Sequence, residues 1–404
     1  MDNAAIGLKM RIASESSAGG GGTANKILRY MRLPLQSAWE NLGEFKSEGN
    51  YLVEGVQPGD ELASGDASSV LSFTESCYVY ESALQKLADP TVGPGGSYTR
   101  LYTNPTVGVD SRRTYTVEKT NARMTLKYNH VVATGFTVSQ TRQAATMTAP
   151  FIGQLAQVLT EPTSPSPAKV ASVRVIPVQT GLFYSEVSMD DLDVAPIRMT
   201  RNFEFGFGMG GFLAPFYPMN ELLRSFGGVV EQEDVDATAT LRLGTDVATP
   251  NTVPARANTT VYVAGDYVKR AGGTHTVVFK ARVGGTSAAS EPAAMATAVH
   301  GTSITDGTVE WLAVNFDVRA PFSMADTREG KTFWIRCRSI GPVIDVASST
   351  YYLHQVDLAV QAIAPLQFDA ERGLMVRPLS LRIVDDEVEG VGMKIKVVNK
   401  LAVV

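Results

Sequence analysis

The chain is 404 residues long, 44% hydrophobic and 19% charged, with a formal net charge of −5. That length allows two or three domains with a sizeable core, and the composition excludes a disordered chain. The mild acidity argues against a surface that grips nucleic acid, which needs a clustered basic face, and no apolar run approaches the ~20 residues that span a bilayer.

The opening residues Met1-Asp2-Asn3-Ala4-Ala5-Ile6-Gly7 lack the basic start and apolar stretch of a signal peptide, so folding in a cytoplasm is expected. The run Gly19-Gly20-Gly21-Gly22 cannot hold a regular element and predicts a flexible loop or arm. Lys26 follows it, but without the Gly-Lys-Ser/Thr spacing of a phosphate loop. From Trp39 to Tyr80 the pattern predicts a long β-hairpin, with turns at 45–50 and 57–60 and an alternating strand at 70–76. A short helix is predicted over 80–88, with Leu84 and Leu87 on one face and Asp89-Pro90 as its stop. Strands are predicted at 114–118, 124–127, 131–140 and 145–152. The segment from Leu159 to Pro167 holds three prolines among Ser and Thr and reads as an extended, unpaired linker. Beyond it, strands are predicted near 173–178, 181–188, 202–208 and 237–243, with a second short helix at 218–226. A segment of different composition occupies about 250–315, and strands resume at 332–337, 355–363, 379–385 and 394–398. Cys77 and Cys337 fall in separate predicted strands and read as free buried thiols. Plentiful Gly and Thr with few amphipathic stretches make the fold class mainly β.

The chain also echoes itself. Arg112-Arg113-Thr114-Tyr115-Thr116-Val117 is similar to Gly330-Lys331-Thr332-Phe333-Trp334-Ile335, and Val138-Ser139-Gln140-Thr141-Arg142-Gln143 to Phe368-Asp369-Ala370-Glu371-Arg372-Gly373. An ordered series of such matches predicts a duplicated unit. The expected domains are 1–160, then 161–249 continued by 316–404, with 250–315 inserted.

Several motifs carry a family resemblance. They are Arg11-Ile12-Ala13-Ser14-Glu15-Ser16 before the glycine run and Thr23; Glu54-Gly55-Val56; Leu62-Ala63-Ser64-Gly65-Asp66; and Leu71-Ser72-Phe73-Thr74-Glu75 leading into a helix. With the ending from Tyr115-Thr116-Val117-Glu118 to Phe151-Ile152-Gly153, and the strand entry Ile197-Arg198-Met199-Thr200-Arg201-Asn202-Phe203, most of the chain resembles siphophage-type major tail tube proteins. The resemblance implies two tandem β-sandwich domains, each with a short helix, and a small inserted all-β domain. It implies stacked rings whose inner sheets close into a barrel through which DNA passes without specific binding. Such rings hold six single-domain copies, so a two-domain chain needs three, a pseudo-sixfold trimer. Further implied partners are a tape-measure protein and tail terminator and distal tail proteins. The expected place is the virion tail, assembled in the host cytoplasm, with no cofactor, no membrane and no covalent chemistry.

On that reading Phe45, Glu48, Tyr51, Glu54 and Asp60 belong to a hairpin reaching the next ring, with part of 200–220 doing the same in the second unit; both also read as plain surface loops. An inner wall that lets DNA slide is expected to be polar and net acidic. Its candidates are Asp385, Asp386, Glu387 and Glu389, or Glu231, Glu233, Asp234 and Asp236, each cluster also reading as a solvated turn.

The insert has the order Tyr262-Val263-Ala264-Gly265-Asp266-Tyr267, Ser290-Glu291-Pro292 and Asp306-Gly307-Thr308-Val309-Glu310-Trp311. It resembles small β modules of phage tail and adhesion proteins and some chitin-binding modules. Ala293, Ala294 and Met295 stand where that pattern is often aromatic, which leaves Tyr262, Tyr267 and Trp311 either as glycan contacts or as core. A tail-associated or secreted glycan-binding adhesin is therefore the rival function. A polysaccharide-acting enzyme is a third, with Asp385 and Asp386 as its acidic pair. None of His130, His275, His300 and His354 has a partner at metal-ligand spacing, and Asp190-Asp191 lacks a calcium-loop pattern.

Overall fold

The computed structural model describes residues 9–45, 55–104, 112–120, 124–141, 143–185, 188–190, 192, 197–198, 203–210, 213–216, 228–231, 236–244, 253–270, 277–299, 301–315, 329–364, 369–371, 374–386, 388, 390–402 and 404. The fold is mainly β, and 22 strands join in one hydrogen-bonded network. Its centre is an antiparallel sheet of eight strands. In order they are Gln36–Phe45, Gly55–Val70, Ala145–Gly153, Phe136–Gln140, Phe203–Gly210, Asp236–Gly244, Leu374–Ile383 and Asp369–Glu371. The first four come from the N-terminal half of the chain and the last four from the C-terminal half. They meet in one seam, where Phe136 to Gln140 pair with Met209 to Phe205.

A second set of strands packs against this sheet. In the N-terminal half it comprises Lys9–Ser14, Tyr115–Thr120, Thr125–Ala133 and Gln157–Leu159. In the C-terminal half it comprises Thr180–Ser185, Phe333–Asp345, Thr350–Ala362 and Met393–Asn399. Met393–Asn399 also pairs with Ser97–Thr103, which makes a second seam between the halves. One apolar core runs through both halves.

The pairing of the two halves recurs at corresponding positions, apart from a bulge after Tyr115 that has no counterpart after Phe333. Tyr115 lies opposite Val131; two residues on, Ala133 lies opposite Phe151. Phe333 lies opposite Val360; two residues on, Ala362 lies opposite Leu381. The same distance back along each strand from Phe151 and Leu381 stand Ala145, paired with Gln140, and Met375, paired with Ala370. Tyr115 with Phe333 and Gln140 with Ala370 are the alignments of the two separate sequence echoes. Two matches far apart in the chain are thus linked, without slippage, by backbone hydrogen bonds.

The helix is Ser76–Ala83, four residues earlier than expected, and all eight of its residues are buried. The Ser72 hydroxyl accepts from the Thr74 and Glu75 amides just before it, a turn that sets its start. Leu84 already has extended backbone, and Leu87 is exposed rather than on a helical face. Cys77 is therefore helical, not in a strand; it and Cys337 are free and buried. The helix is wedged under both seams. Tyr80 meets the Phe136 ring edge-on at 5.3 Å and its hydroxyl lies 2.7 Å from His354 Nε2, while Asn399 Nδ2 donates to the Phe73 carbonyl at 2.7 Å. The second predicted helix, 218–226, lies outside the described residues.

Three other expectations change. The glycine run is pinned, because the Glu15 carboxylate accepts from the Gly19 and His130 amides and from the Thr114 and Thr116 hydroxyls at 2.8–3.0 Å. Its positive φ values at Gly19 and Gly21 explain why glycine is needed there. The proline-rich segment is fastened to the N-terminal half: the Ala24 amide donates to Thr163 Oγ1, the Thr163 amide to Glu118, and Arg11 to the Ser164 carbonyl. The strand predicted near 173–178 reduces to one bridge, Arg174 with Ser72, followed by a 3-10 turn at Pro177–Gln179.

Val253 to Asn315 form a module with its own core of Val268, Phe279, Ala281, Met295, Trp311 and neighbours. Its main sheet has the order Tyr267–Val268, Val277–Val283, Val309–Asn315, Ser303–Asp306.

Candidate functional site

The central sheet has one face in the core and one open. Period-two alternation buries Phe136, Val138, Met147, Phe151, Phe205, Phe207, Leu241 and Leu381. The alternate residues form two ranks across six strands. One is Ser68, Thr148, Thr137, Gly208, Thr238 and Arg382; the other is Val70, Thr146, Ser139, Gly206, Thr240 and Ser380. Nearly every member is a hydroxyl or a glycine. At the seam strand, Phe205, Phe207 and Met209 fill the core while Gly206, Gly208 and Gly210 leave the open side bare. A Cβ added at Gly206 or Gly208 would come within 3.2 Å of the Thr240 or Thr137 hydroxyl. Glycine weakens a strand interior, and its repeated use on one face marks a place where something passes or packs close to the backbone.

Asp66 and Asp236 are exposed at this face, and so are Arg32, Arg242 and Arg382. The described part of this face is therefore rich in hydroxyl groups and glycine. Asp236 is the one acidic candidate found on it. Asp385 and Asp386 lie past the end of Leu374–Ile383, in the turn that leads to Met393–Asn399. Asp385 is exposed there. Asp386 is buried and accepts from Trp334 Nε1 at 2.6 Å and from the Val388 amide at 2.9 Å. A carboxylate so engaged holds a turn. Glu387, Glu389, Glu233 and Asp234 lie outside the described residues. Glu231 ends the strand Gly228–Glu231, which pairs with Leu213–Phe216.

A long first hairpin forms, as expected, with Gln36–Phe45 paired with Gly55–Val70 from Gln36 opposite Ser64 to Phe45 opposite Gly55, but residues 57–60 lie within its second strand rather than in a turn, and 71–75 turn into the helix instead of continuing as a strand. Phe45 and Asp60 lie on its two strands, while Glu48, Tyr51 and Glu54 lie outside the described residues. In the C-terminal half Phe203–Gly210 pairs with Asp236–Gly244, and Leu213–Phe216 pairs with Gly228–Glu231 in a separate two-stranded sheet.

In the inserted module Trp311 is 0% exposed and cannot offer a face to a sugar. Its Nε1 donates to Asp306 Oδ2 at 2.8 Å, and Tyr262 packs edge-on against it at 5.0 Å. Arg256 grips the same carboxylate with Nε at 2.6 Å and Nη2 at 2.7 Å. Burial pushes the Asp306 carboxyl up, but Arg256, Trp311 and the Ala288 amide outweigh it and hold it below the usual range. Tyr267, half-buried, packs against Val253, Val278 and Leu312. The three aromatic residues named from sequence are thus mostly module core, and the sequence signal missed was the Arg256–Asp306 pair between them.

Among the described residues no group of His, Cys, Asp and Glu is placed to hold a metal ion. A groove of about 500 Å³ beside Ile27, Arg29, Lys169, Val170 and Ala171 contains no carboxylate pair. Neither a protein-family model nor a curated protein matches the chain.

Proposed function

We propose that this chain is a structural virion protein that builds a phage tail tube, with three copies closing a ring around a channel for DNA. The observation that carries the reading is the shared register of the two halves. Each contributes four strands to one continuous antiparallel sheet, so each half is the equivalent of one tube unit. An open sheet of this width leaves two free edges, which ring closure removes. Three times eight strands exceed the roughly 16–18 that already enclose an aqueous channel. The hydroxyl and glycine face is the side that lines the channel. Among the described residues its arginines, Arg32, Arg242 and Arg382, are dispersed over three strands rather than clustered to hold DNA by counterion release.

The inserted module decorates the outside of the ring, and its buried Trp311 gives no support to a strong lectin. On this reading the tube works by assembly, without covalent chemistry. Its partners are further copies of itself, a tape-measure protein within, and terminator and distal tail proteins at the ends.

The test is negative-stain microscopy of the purified protein together with native mass spectrometry. Stacked rings with a central hole and three chains per ring are expected, and excision of 253–315 should leave them intact. Six chains per ring would mean that the second half is not a tube unit. A protein that stays monomeric at high concentration, even when seeded with tail tips, would remove the reading.

A further inference from the structure

We infer that the edge strand Asp369–Glu371 of one copy pairs antiparallel with the edge at Arg32–Pro34 of the next, with Glu371 opposite Arg32 and Asp369 opposite Pro34. This rests on the ring reading and specifies its contact. The chain already contains one example of such a junction: the seam that sets Gln140 opposite Phe205. The counterpart of Gln140 is Ala370, as the shared register establishes.

The counterpart of Phe205 follows by crossing the sheet. Phe151 lies opposite Gly65, and Leu381 opposite Ala239. One residue back, Ser64 lies opposite Gln36, and Thr238 opposite Gly208. Three residues further back stand Leu33 and Phe205, both buried. Repeating the internal seam between copies therefore sets Ala370 against Leu33 and the next pair, Glu371, against Arg32.

Independent features of the edge agree with this. Arg32 continues the strand register of Gln36–Phe45, exchanging both backbone hydrogen bonds with Ser68 at 3.1 and 3.0 Å. In an antiparallel strand the neighbouring residue then turns its backbone groups the other way, toward the free edge. Among the described residues the Leu33 amide there meets the thioether of Met10, at 3.3 Å, a weak acceptor that covers this buried residue and that a carbonyl of the next copy would displace. Further along, the Leu35 carbonyl is taken by the Tyr128 hydroxyl and the Lys119 ammonium, which ends the available edge. A short edge thus faces a short strand. The register also puts an acidic residue opposite a basic one, the favourable arrangement for a cross-strand pair.

The test uses the full chain in two forms. In the double variant Arg32→Cys with Glu371→Cys, opposed residues lie about 4.5–5.5 Å apart at Cα, within the span of a disulfide. Mild oxidation should give covalent species that stop at three chains. Either single variant should give none, because Cys77 and Cys337 are buried. Separately, Arg32→Glu or Glu371→Arg alone should raise the concentration needed for rings by roughly 2- to 5-fold, and the two together should restore it. Rings that form normally with no cross-link, and with reversals that change nothing, would overturn the register while leaving the ring reading standing. Absence of rings from the unaltered protein would overturn both.

Discussion

His354 is a histidine with a structural task. It is fully buried, its Nε2 lies 2.7 Å from the Tyr80 hydroxyl, and burial lowers its pKa to about 4. The unfolded chain takes up a proton near the ordinary value of about 6.5, so the unfolded state binds more protons between the two values. Stability is therefore complete above about 6.5 and is lost as pH falls toward 4, by roughly 3 kcal/mol for this group alone. Thermal unfolding at pH 7.5 and 4.5 checks this. The unaltered protein should lose more than His354→Gln, which keeps an amide for Tyr80 but does not titrate. Equal losses in the two proteins would show that the fold does not hold His354 below its ordinary pKa. Cys77, pushed up to about 11 mainly by burial, is an inert thiol by the same physics. The carboxylates of Glu15 and Glu75 act locally too, each gathering several donors. The Glu75 carboxylate accepts from the consecutive amides of Arg29, Tyr30 and Met31, fixing a stretch of chain without secondary structure.

At the scale of elements, strands were legible because one face is buried: Phe205, Phe207 and Met209 alternate with glycines, and Thr146 and Thr148 with Met147 and Ala149. The helix was misplaced because Ser76–Ala83 is buried all round, by strands from both halves, and so has no polar face to create a period. The glycine run read as flexible because its anchors, Thr114, Thr116 and His130, lie about a hundred residues away and meet it only in the fold. The open face was not legible because it is a dispersed set of small residues from six strands, whereas charge runs stand out in a sequence. The inserted module was found by composition, but its tie was not. Asp306 holds Arg256, Trp311 and the Ala288 amide together, and the module's core is separate from the main one. Asp306→Asn leaves Arg256 buried beside a neutral amide and should cost the module about 3–5 kcal/mol. Limited proteolysis is expected to cut within 253–315 in this variant while the remaining chain resists as before. Cuts spread through both halves would mean that the module supports the main core.

For the whole molecule, the proposed tube makes the open face the lining of the channel, so assembly and conduction can be tested separately there. Residues there project away from the core, so substitutions should leave the rings intact and change only what passes through. Thr148→Lys with Thr240→Lys places two cations on different strands of each copy, one in each half and each in its own rank. If three copies surround a channel, every ring gains six such charges, and stacked rings repeat them. A duplex inside then meets a basic wall and is held by counterion release, with binding that weakens steeply as salt rises, by a slope of about −0.9 for each phosphate neutralised. Purified tubes of the unaltered protein should retain no labelled duplex at moderate salt. Tubes of the double variant should retain it and release it on raising the salt. The same two lysines on an outer surface would also attract DNA, so the decisive comparison is protection: duplex held in the channel resists nuclease, and duplex on the outside is digested. Well-formed tubes that bind DNA only in the digestible form would put this face outside and move the channel to the other side of the sandwich.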